Sequence, residues 1–353
     1  MNIGERIKEL RLQKGFSQED LAVRANFSKS YIQKFEEGQR EIKSSQLLQL
    51  STALEVSISE IIAPTNYDSN EFVLRNIEFR EEFKINNVDL FGKKILGDLY
   101  KKYSSYSKLE KMINHVLVFQ NPLKNIDVIS NKKQVEDIAL FLRKKWKFEN
   151  TPIYDLIGFL EDLGIKIFEV NEDESFAGFS CWVKNTPIIV INITNTDIPR
   201  RRFTVLHELA HLLLPFNKNE KPEIIERFCD QFAGAMLLPS EILKTYIGTT
   251  NSITLEELKR IKSKFGISIF AILVRMLNLD ILTWEKYNIW KEQYYSWRDK
   301  ECEFSGRESV SRFNYLIAKG LRENSFSKSV ASELSGMPIS KLNNNSFTKE
   351  FLF

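Results

Sequence analysis

The stretch "RRFTVLHELAHLLLP", residues 201–215, holds two of the chain's three histidines, His207 and His211, with Glu208 beside the first. Four residues apart on a helix, the two imidazoles share one face and lie one turn apart, where they can grip a single ion. Glu208 lies at an angle suited to a water held by that ion, which is the HExxH arrangement. The flanking Phe203, Leu206, Leu209, Leu212 and Leu213 make the helix apolar nearly all round, so it is expected to be buried. Burying two histidines and a carboxylate with no ion would desolvate them with little return. The pattern therefore predicts a metal centre holding one zinc ion (Zn2+) per chain.

A catalytic zinc normally has three protein ligands and one open position. The following stretch, "PEIIERFCDQFAGAMLLP" at 222–239, reads as a second helix, with Ala233, Gly234 and Ala235 small enough for close packing. Glu226 and Asp230 are four apart and share a face. Glu226 suits the third ligand, and Asp230 suits the acceptor for a ligand histidine's other ring N–H. Glu223, one turn earlier, competes with Glu226. His115 stands between Ile113 and Val116 with no carboxylate or second histidine near it in sequence, and reads as a packed or surface residue.

These residues need elements to hold them. "NTPIYDLIGFLEDLG" predicts a helix capped at Asn150, with Pro152 in its first turn and Gly164 as its stop. The runs "IKIFEV", "FAGFSCWV" and "PIIVIN" predict three strands in a small, mostly antiparallel sheet. Residues 71–147 look helical and charged after the polar linker "APTNYDSN", and are expected to bridge domains or support a homodimer. In the tail, Trp284, Trp290 and Trp297 read as packing residues, and "FNYLIAKGLRENSFSKSVASELSGMPISKL" looks like a small second turn-helix unit. No internal repeat is evident.

Residues 1–63 read as five short helices. Ser17 caps "QEDLAVRA" with Asp20 three residues on, Ser28 caps "KSYIQKFEE", and the connection between these two helices has three residues. Gln18, at the second helix's start, suits a phosphate contact. Ser28, Lys29, Ser30, Gln33 and Lys34 are the other candidate contacts; Gln33 suits adenine, and the lysines suit phosphate or guanine. Nine basic and nine acidic residues fall within 1–63, so the segment exerts no overall electrostatic pull.

The whole chain has 353 residues, a net charge of +3, 43% hydrophobic and 27% charged residues, as expected of a soluble globular protein of more than one domain. Cys181, Cys229 and Cys302 form no CxxC pair. With no signal peptide and no apolar run long enough to span a membrane, a reducing, cytoplasmic setting is expected.

"LRLQKGFSQEDLAVRANFSKSYIQKFEEGQR" followed by "LLQLSTALEVSISEII" resembles the Cro/C1-type (Xre) helix-turn-helix family. The resemblance implies a module that binds double-stranded operator DNA, its third helix entering the major groove. "FTVLHELAHLLL" and then "ERFCDQFAGAMLLP" resemble the ImmA/IrrE family of zinc metallopeptidases, with a gluzincin-like fold. That resemblance selects Glu226 over Glu223 and implies Glu208 as general base. It also implies a narrow protein substrate, a helix-turn-helix repressor cleaved to release transcription. Cys229 stands where family members often carry alanine and is expected near the metal; Ala210 replaces a frequent glycine. Tyr154 and Arg201 are candidates for steadying the oxyanion. The alternative is a regulator or antitoxin whose zinc domain senses or binds a partner without proteolysis.

The expected fold class is mainly α with a small β-sheet (α+β). Its divisions are a helix-turn-helix domain at 1–63, a bridging region at 64–147, a metallopeptidase domain at 148–283 and a helical region at 284–353.

Overall fold

The computed structural model describes residues 3–40, 44–54, 56, 61, 93–172, 177–183, 185–217, 220–247, 253–298, 302–304, 306 and 308–342. The chain forms two compact units, residues 1–75 and 76–353.

The first unit contains α1 (Ile3–Gln13), α2 (Gln18–Ala25), α3 (Lys29–Glu36) and α4 (Ser44–Leu54). Both serine caps form. Ser17 Oγ accepts the Asp20 N–H at 3.1 Å, and Ser28 Oγ accepts the Tyr31 N–H at 3.3 Å. Asn26 takes the left-handed conformation that ends α2, which a short polar side chain tolerates. Ile7, Leu21, Ile32, Phe35 and Leu50 form the core. Most of the expected fifth helix, residues 57–60, lies outside the described residues; Ile61 is helical and buried.

The second unit opens with α5 (Lys93–Met112) and α6 (Lys132–Lys145), then α7 (Leu156–Asp162), β1 (Lys166–Val170), β2 (Gly178–Val183) and β3 (Thr186–Asn192). The sheet order is β1-β3-β2, with β3 parallel to β1 and antiparallel to β2. The expected mostly antiparallel sheet is therefore half parallel. After β1 the chain takes β2 to the far edge, so β3 folds back into the centre beside β1. Its fully buried run Ile188–Ile191 is what a central strand covered on both faces requires.

Then follow α8 (Ile198–Leu213), α9 (Pro222–Leu237), α10 (Ser240–Ile247), α11 (Leu255–Phe265), α12 (Ile269–Asn278), α13 (Trp284–Glu292) and α14 (Tyr294–Trp297). The tail holds α15 (Arg312–Arg322), α16 (Lys328–Ser335) and α17 (Ile339–Leu342). One continuous apolar core joins α6, α7, β1, β3 and α8 through α12. Among the described residues, no helix is long and apolar enough to cross a membrane.

Two local expectations are corrected. α7 starts at Leu156 with Asp155 as its cap, accepting the Gly158 N–H at 3.0 Å, while Asn150 donates instead to Glu241 at 3.2 Å. Buried Arg143 and Arg202 donate to the carbonyls of Thr151 and Ile153, which holds that backbone out of the helix. Residues 113–131 turn rather than continue as helix, because Asn114 closes α5 in the left-handed region. Residues 71–92 lie outside the described residues.

The helix lengths and caps of the tail resemble those of the head. α15 and α1 each have 11 residues, α16 and α2 each have eight, and a three-residue turn follows α2 and α16 alike. Ser327 caps α16 as Ser17 caps α2, and Gly336 takes the left-handed role of Asn26. Buried Ala331 and Leu342 stand where Leu21 and Ile32 stand in the first unit. Only the small and apolar positions recur, so no repeat is visible in the letters. Trp284 stacks on Tyr287 yet stays mostly exposed, whereas Trp290 packs against the core. The Trp297 side chain lies outside the description.

Candidate metal centre and helix-turn-helix surface

α8 is capped by Asp197, whose carboxylate accepts the Arg200 N–H at 2.9 Å, and has Pro199 in its first turn. Its packing against the sheet depends on Gly178. A Cβ there would come within 2.7 Å of the Val190 carbonyl oxygen and 3.0 Å of the Thr204 methyl, so only glycine lets β2 approach α8 beside Glu208. Arg202, fully buried on α8, donates to the carbonyls of Ile153, Phe265 and Gly266 and pairs with Glu308. Glu308 in turn accepts the first N–H groups of α7, from Leu156 and Ile157. α9 is held at its C-terminal end, where Arg143 donates to the Met236 carbonyl and Arg275 to that of Leu238. These donors satisfy carbonyls that a helix end leaves without partners.

The histidine Nε2 atoms lie 3.1 Å apart. Glu226 spans both, with Oε2 at 3.2 Å from His207 Nε2 and Oε1 at 3.3 Å from His211 Nε2. Asp230 Oδ1 lies 2.7 Å from His207 Nδ1. That contact suits Nδ1 as a donor and aims Nε2 toward His211 and Glu226. Ligands about 2.0 Å from a tetrahedral zinc sit about 3.3 Å from one another, so the spacing of these three residues suits one ion. His207 and Glu208 are 4% and 3% exposed, while the Glu226 and His211 side chains are 32% and 22% exposed, so the centre opens to solvent on their side.

Burial alone would lower the pKa of His207. Its hydrogen bonds to Asp230 and then Glu226 outweigh that and push it up to about 9. Three carboxylates around one imidazole hold a proton where an ion would otherwise supply the positive charge.

Glu223 is exposed and, among the described contacts, touches neither histidine; the helix face that meets them is Glu226's. Ser180, on β2, donates its hydroxyl to Glu208 Oε2 at 3.0 Å. Sequence reasoning passed over it. The available signal was strand alternation, since Gly178 and Ser180 are small residues on one face of an otherwise bulky strand. Cys229 is fully buried on α9, with its Sγ and the His207 and His211 ligand nitrogens within 4.8 Å of one another. Tyr154 is 60% exposed, and Arg201 donates to Thr196 Oγ1 at 3.2 Å; no described contact joins either to the centre. His115 lies elsewhere, 3.1 Å from Arg312.

On the first unit, Lys29, Ser30, Gln33 and Lys34 are exposed on α3, with Ser28 as its cap. Lys29 pairs with Glu19 at 3.2 Å, and Gln33 donates to Glu37 at 2.9 Å. Gln18 donates one amide hydrogen to Glu36 at 2.8 Å, leaving its second. Glu36 is itself buried in a two-pronged pair with Arg11, at 2.6 and 3.0 Å, and Arg11 also donates to the Phe16 carbonyl at 2.8 Å. This pair, absent from the sequence reading, ties α1 to α3 and steadies the start of α2.

Residues 160–277 match the IrrE N-terminal-like domain of the M78 peptidases, and residues 7–61 match a helix-turn-helix family. The chain joins an Xre-type helix-turn-helix domain to an IrrE-type metallopeptidase domain. The uncharacterized HTH-type transcriptional regulator y4dJ of Sinorhizobium fredii (strain NBRC 101917 / NGR234) is 36% identical over 64 residues, 18% of this chain and 83% of that protein. The restriction-modification controller protein C.AhdI from Aeromonas hydrophila is 40% identical over 17% of this chain and 91% of its own, at a TM-score of 0.17. PlcR from Bacillus thuringiensis, solved with the peptide PapR7 and DNA, is 13% identical over 99% of this chain and 98% of its own, at a TM-score of 0.21. TM-scores this low carry no argument about the fold. The IrrE-like match spans α8 and α9 whole, and with them His207, Glu208, His211 and Glu226.

Proposed function

We propose that the chain is a DNA-binding regulatory zinc metallopeptidase that cleaves a specific helix-turn-helix repressor and so derepresses transcription. The observation that carries this reading is the meeting of His207, His211 and Glu226 at 3.1–3.3 Å, beside Glu208. Bound zinc supplies Lewis acidity to the attacking water and the scissile carbonyl. Glu208 accepts a proton from that water and returns it to the leaving amine. Ser180 holds Glu208 Oε2, which leaves the other oxygen for proton transfer. Among the described residues β2 pairs only with β3, so its outer edge offers main-chain groups to an extended substrate.

Residues 1–63 supply the operator contacts through the exposed face of α3, and 148–283 supply the chemistry. Residues 64–147 and 284–353 complete the helical surround, the former with a role in homodimerisation. The proposed setting is the cytoplasm.

Glu208→Gln tests the reading. The amide is nearly isosteric and is not a ligand, so metal content and fold stay unchanged. Hydrolysis falls by about 10²–10⁴ because the general base is lost. Repressor levels and reporter output in cells carrying wild type or Glu208→Gln give the decisive comparison. Full induction by Glu208→Gln would mean that the zinc domain senses or binds a partner without proteolysis.

A further inference from the structure

We propose that Cys229 is a reserve ligand of the metal centre, and that its thiolate closes the position that hydrolysis needs open. The proposal rests on the reading of α8 and α9 as a metal centre.

Cys229 lies three residues after Glu226 and one before Asp230, so it shares the helix face from which Glu226 reaches the histidines. It is fully buried, at the point where the apolar core borders the two histidines. Its Sγ and the ligand nitrogens of His207 and His211 all lie within 4.8 Å of one another. Around a tetrahedral zinc, with Zn–S near 2.3 Å and Zn–N near 2.0 Å, sulfur and nitrogen stand about 3.5 Å apart. Binding therefore asks for a contraction of at most about 1.3 Å, within reach of a side-chain rotation. The other two cysteines differ in surroundings. Neither Cys181, in the strand core, nor Cys302 stands in such a group of ligand atoms among the described residues.

The step is a simple exchange. The S–H bond breaks, a sulfur–metal bond forms, and the proton leaves to solvent; no oxidant is involved. With the thiolate bound, His207, His211, Glu226 and Cys229 make four protein ligands, the closed set typical of structural zinc. With the thiol protonated and withdrawn, three ligands remain and one position is open. Water and Cys229 thus compete for one place, and the soft thiolate favours zinc over harder ions.

Cobalt(II) loaded into the full-length protein in place of zinc reports the ligand directly. Wild type is expected to show a near-ultraviolet thiolate-to-cobalt charge-transfer band that Cys229→Ala and Cys229→Ser lack. Both variants should still bind the metal through His207, His211 and Glu226, with zinc affinity lowered about tenfold or more in chelator competition, at least the low end of the 10–100-fold seen for loss of supporting partners. Any peptidase turnover should rise in the variants. Stoichiometric cobalt in wild type with no such band overturns the role of Cys229 and leaves the metal centre standing. Failure of wild type to bind cobalt overturns both. The decisive spectrum is that of the wild type, so it does not depend on either variant folding.

Discussion

The helix pairs α2–α3 and α8–α9 arrange polarity in opposite senses. In the first, Lys29, Ser30, Gln33 and Lys34 face water and the inner face is Leu21, Ile32 and Phe35. In the second, His207, His211 and Glu226 meet between the helices, Glu208 turns inward toward β2, and the rest of the buried circumference is mostly apolar, with Arg202 and Gln231 as its other polar members. Outward polarity costs nothing, so it says little about purpose. Inward polarity is costly unless something compensates it, so it points to a ligand. The difference explains why the metal centre can be argued residue by residue, while the DNA face is argued from its frame.

The most severe way to break the comparison is to remove the compensation. His211→Ala should abolish zinc binding, taking metal content from about one ion per chain to none, because two remaining protein ligands make an incomplete site. Elemental analysis of purified protein checks it. Full occupancy in this variant would mean that the inward polarity of α8 has another cause.

Arg11 and Glu36 are the exception in the first unit, an inward polar pair in the outward-facing module. Their side chains are 7% and 1% exposed, so removing one partner strands the other charge. Arg11→Met should cost about 3–5 kcal/mol, and the double Met variant should recover much of it. Hydrogen exchange of the α1–α3 amides in the full chain measures both. A loss below about 1 kcal/mol would place this pair with exposed ones in its energetics.

How far the letters carried the structure follows the same division. The histidine pair and both serine caps depend on short-range spacing, which helix pitch alone supplies; Glu226 and Asp230 share one face of α9 by the same pitch, but only the packing of α9 on α8 brings them to the histidines. Arg143, Arg202 and Arg275 were passed over because an arginine in a helix ordinarily reads as surface. Their partners are carbonyls and two glutamates, Glu308 and Glu136, up to 139 residues away, which no local pattern announces. The parallel β1–β3 pairing was missed because strand periodicity reports faces, not neighbours. Ser180 was hidden for a related reason: its role comes from Glu208 across a packing interface, not from its own strand.

Glu161 sharpens the comparison, being inward polarity that the nearby Arg312 and Lys166 charges only partly balance. Burial raises its pKa from 4.5 to about 7, only partly offset by the Arg312 and Ser311 N–H groups that reach Oε2. The folded state then binds the proton more tightly than the unfolded state. The associated stability is fully present below about pH 4.5 and is lost as pH rises through about 7, roughly 3 kcal/mol in all. Glu161→Gln keeps an acceptor for both N–H groups and removes the charge. Its thermal midpoint should exceed wild type at pH 8 and converge with it near pH 4. A wild-type midpoint as high as the variant's at pH 8 would show that this carboxylate is solvated.

The smallest effect is expected on the outward face, and it separates recognition from attachment. Gln33 offers an amide with both a donor and an acceptor, the pairing adenine presents in the major groove, and its present partner Glu37 is exposed and easily exchanged. Gln33→Ala should therefore cost about 1–3 kcal/mol at one operator position and leave binding to other sequences nearly unchanged. Lys34 brings only charge. Lys34→Ala should weaken binding evenly across sequences and flatten the dependence of log affinity on log salt by about one unit, as one phosphate contact is lost. Binding of the full-length protein to an operator and to a scrambled duplex, over a range of salt, distinguishes the two. If Gln33→Ala loses equal affinity for both duplexes, Gln33 is an attachment residue, and α3 meets the DNA through its backbone contacts.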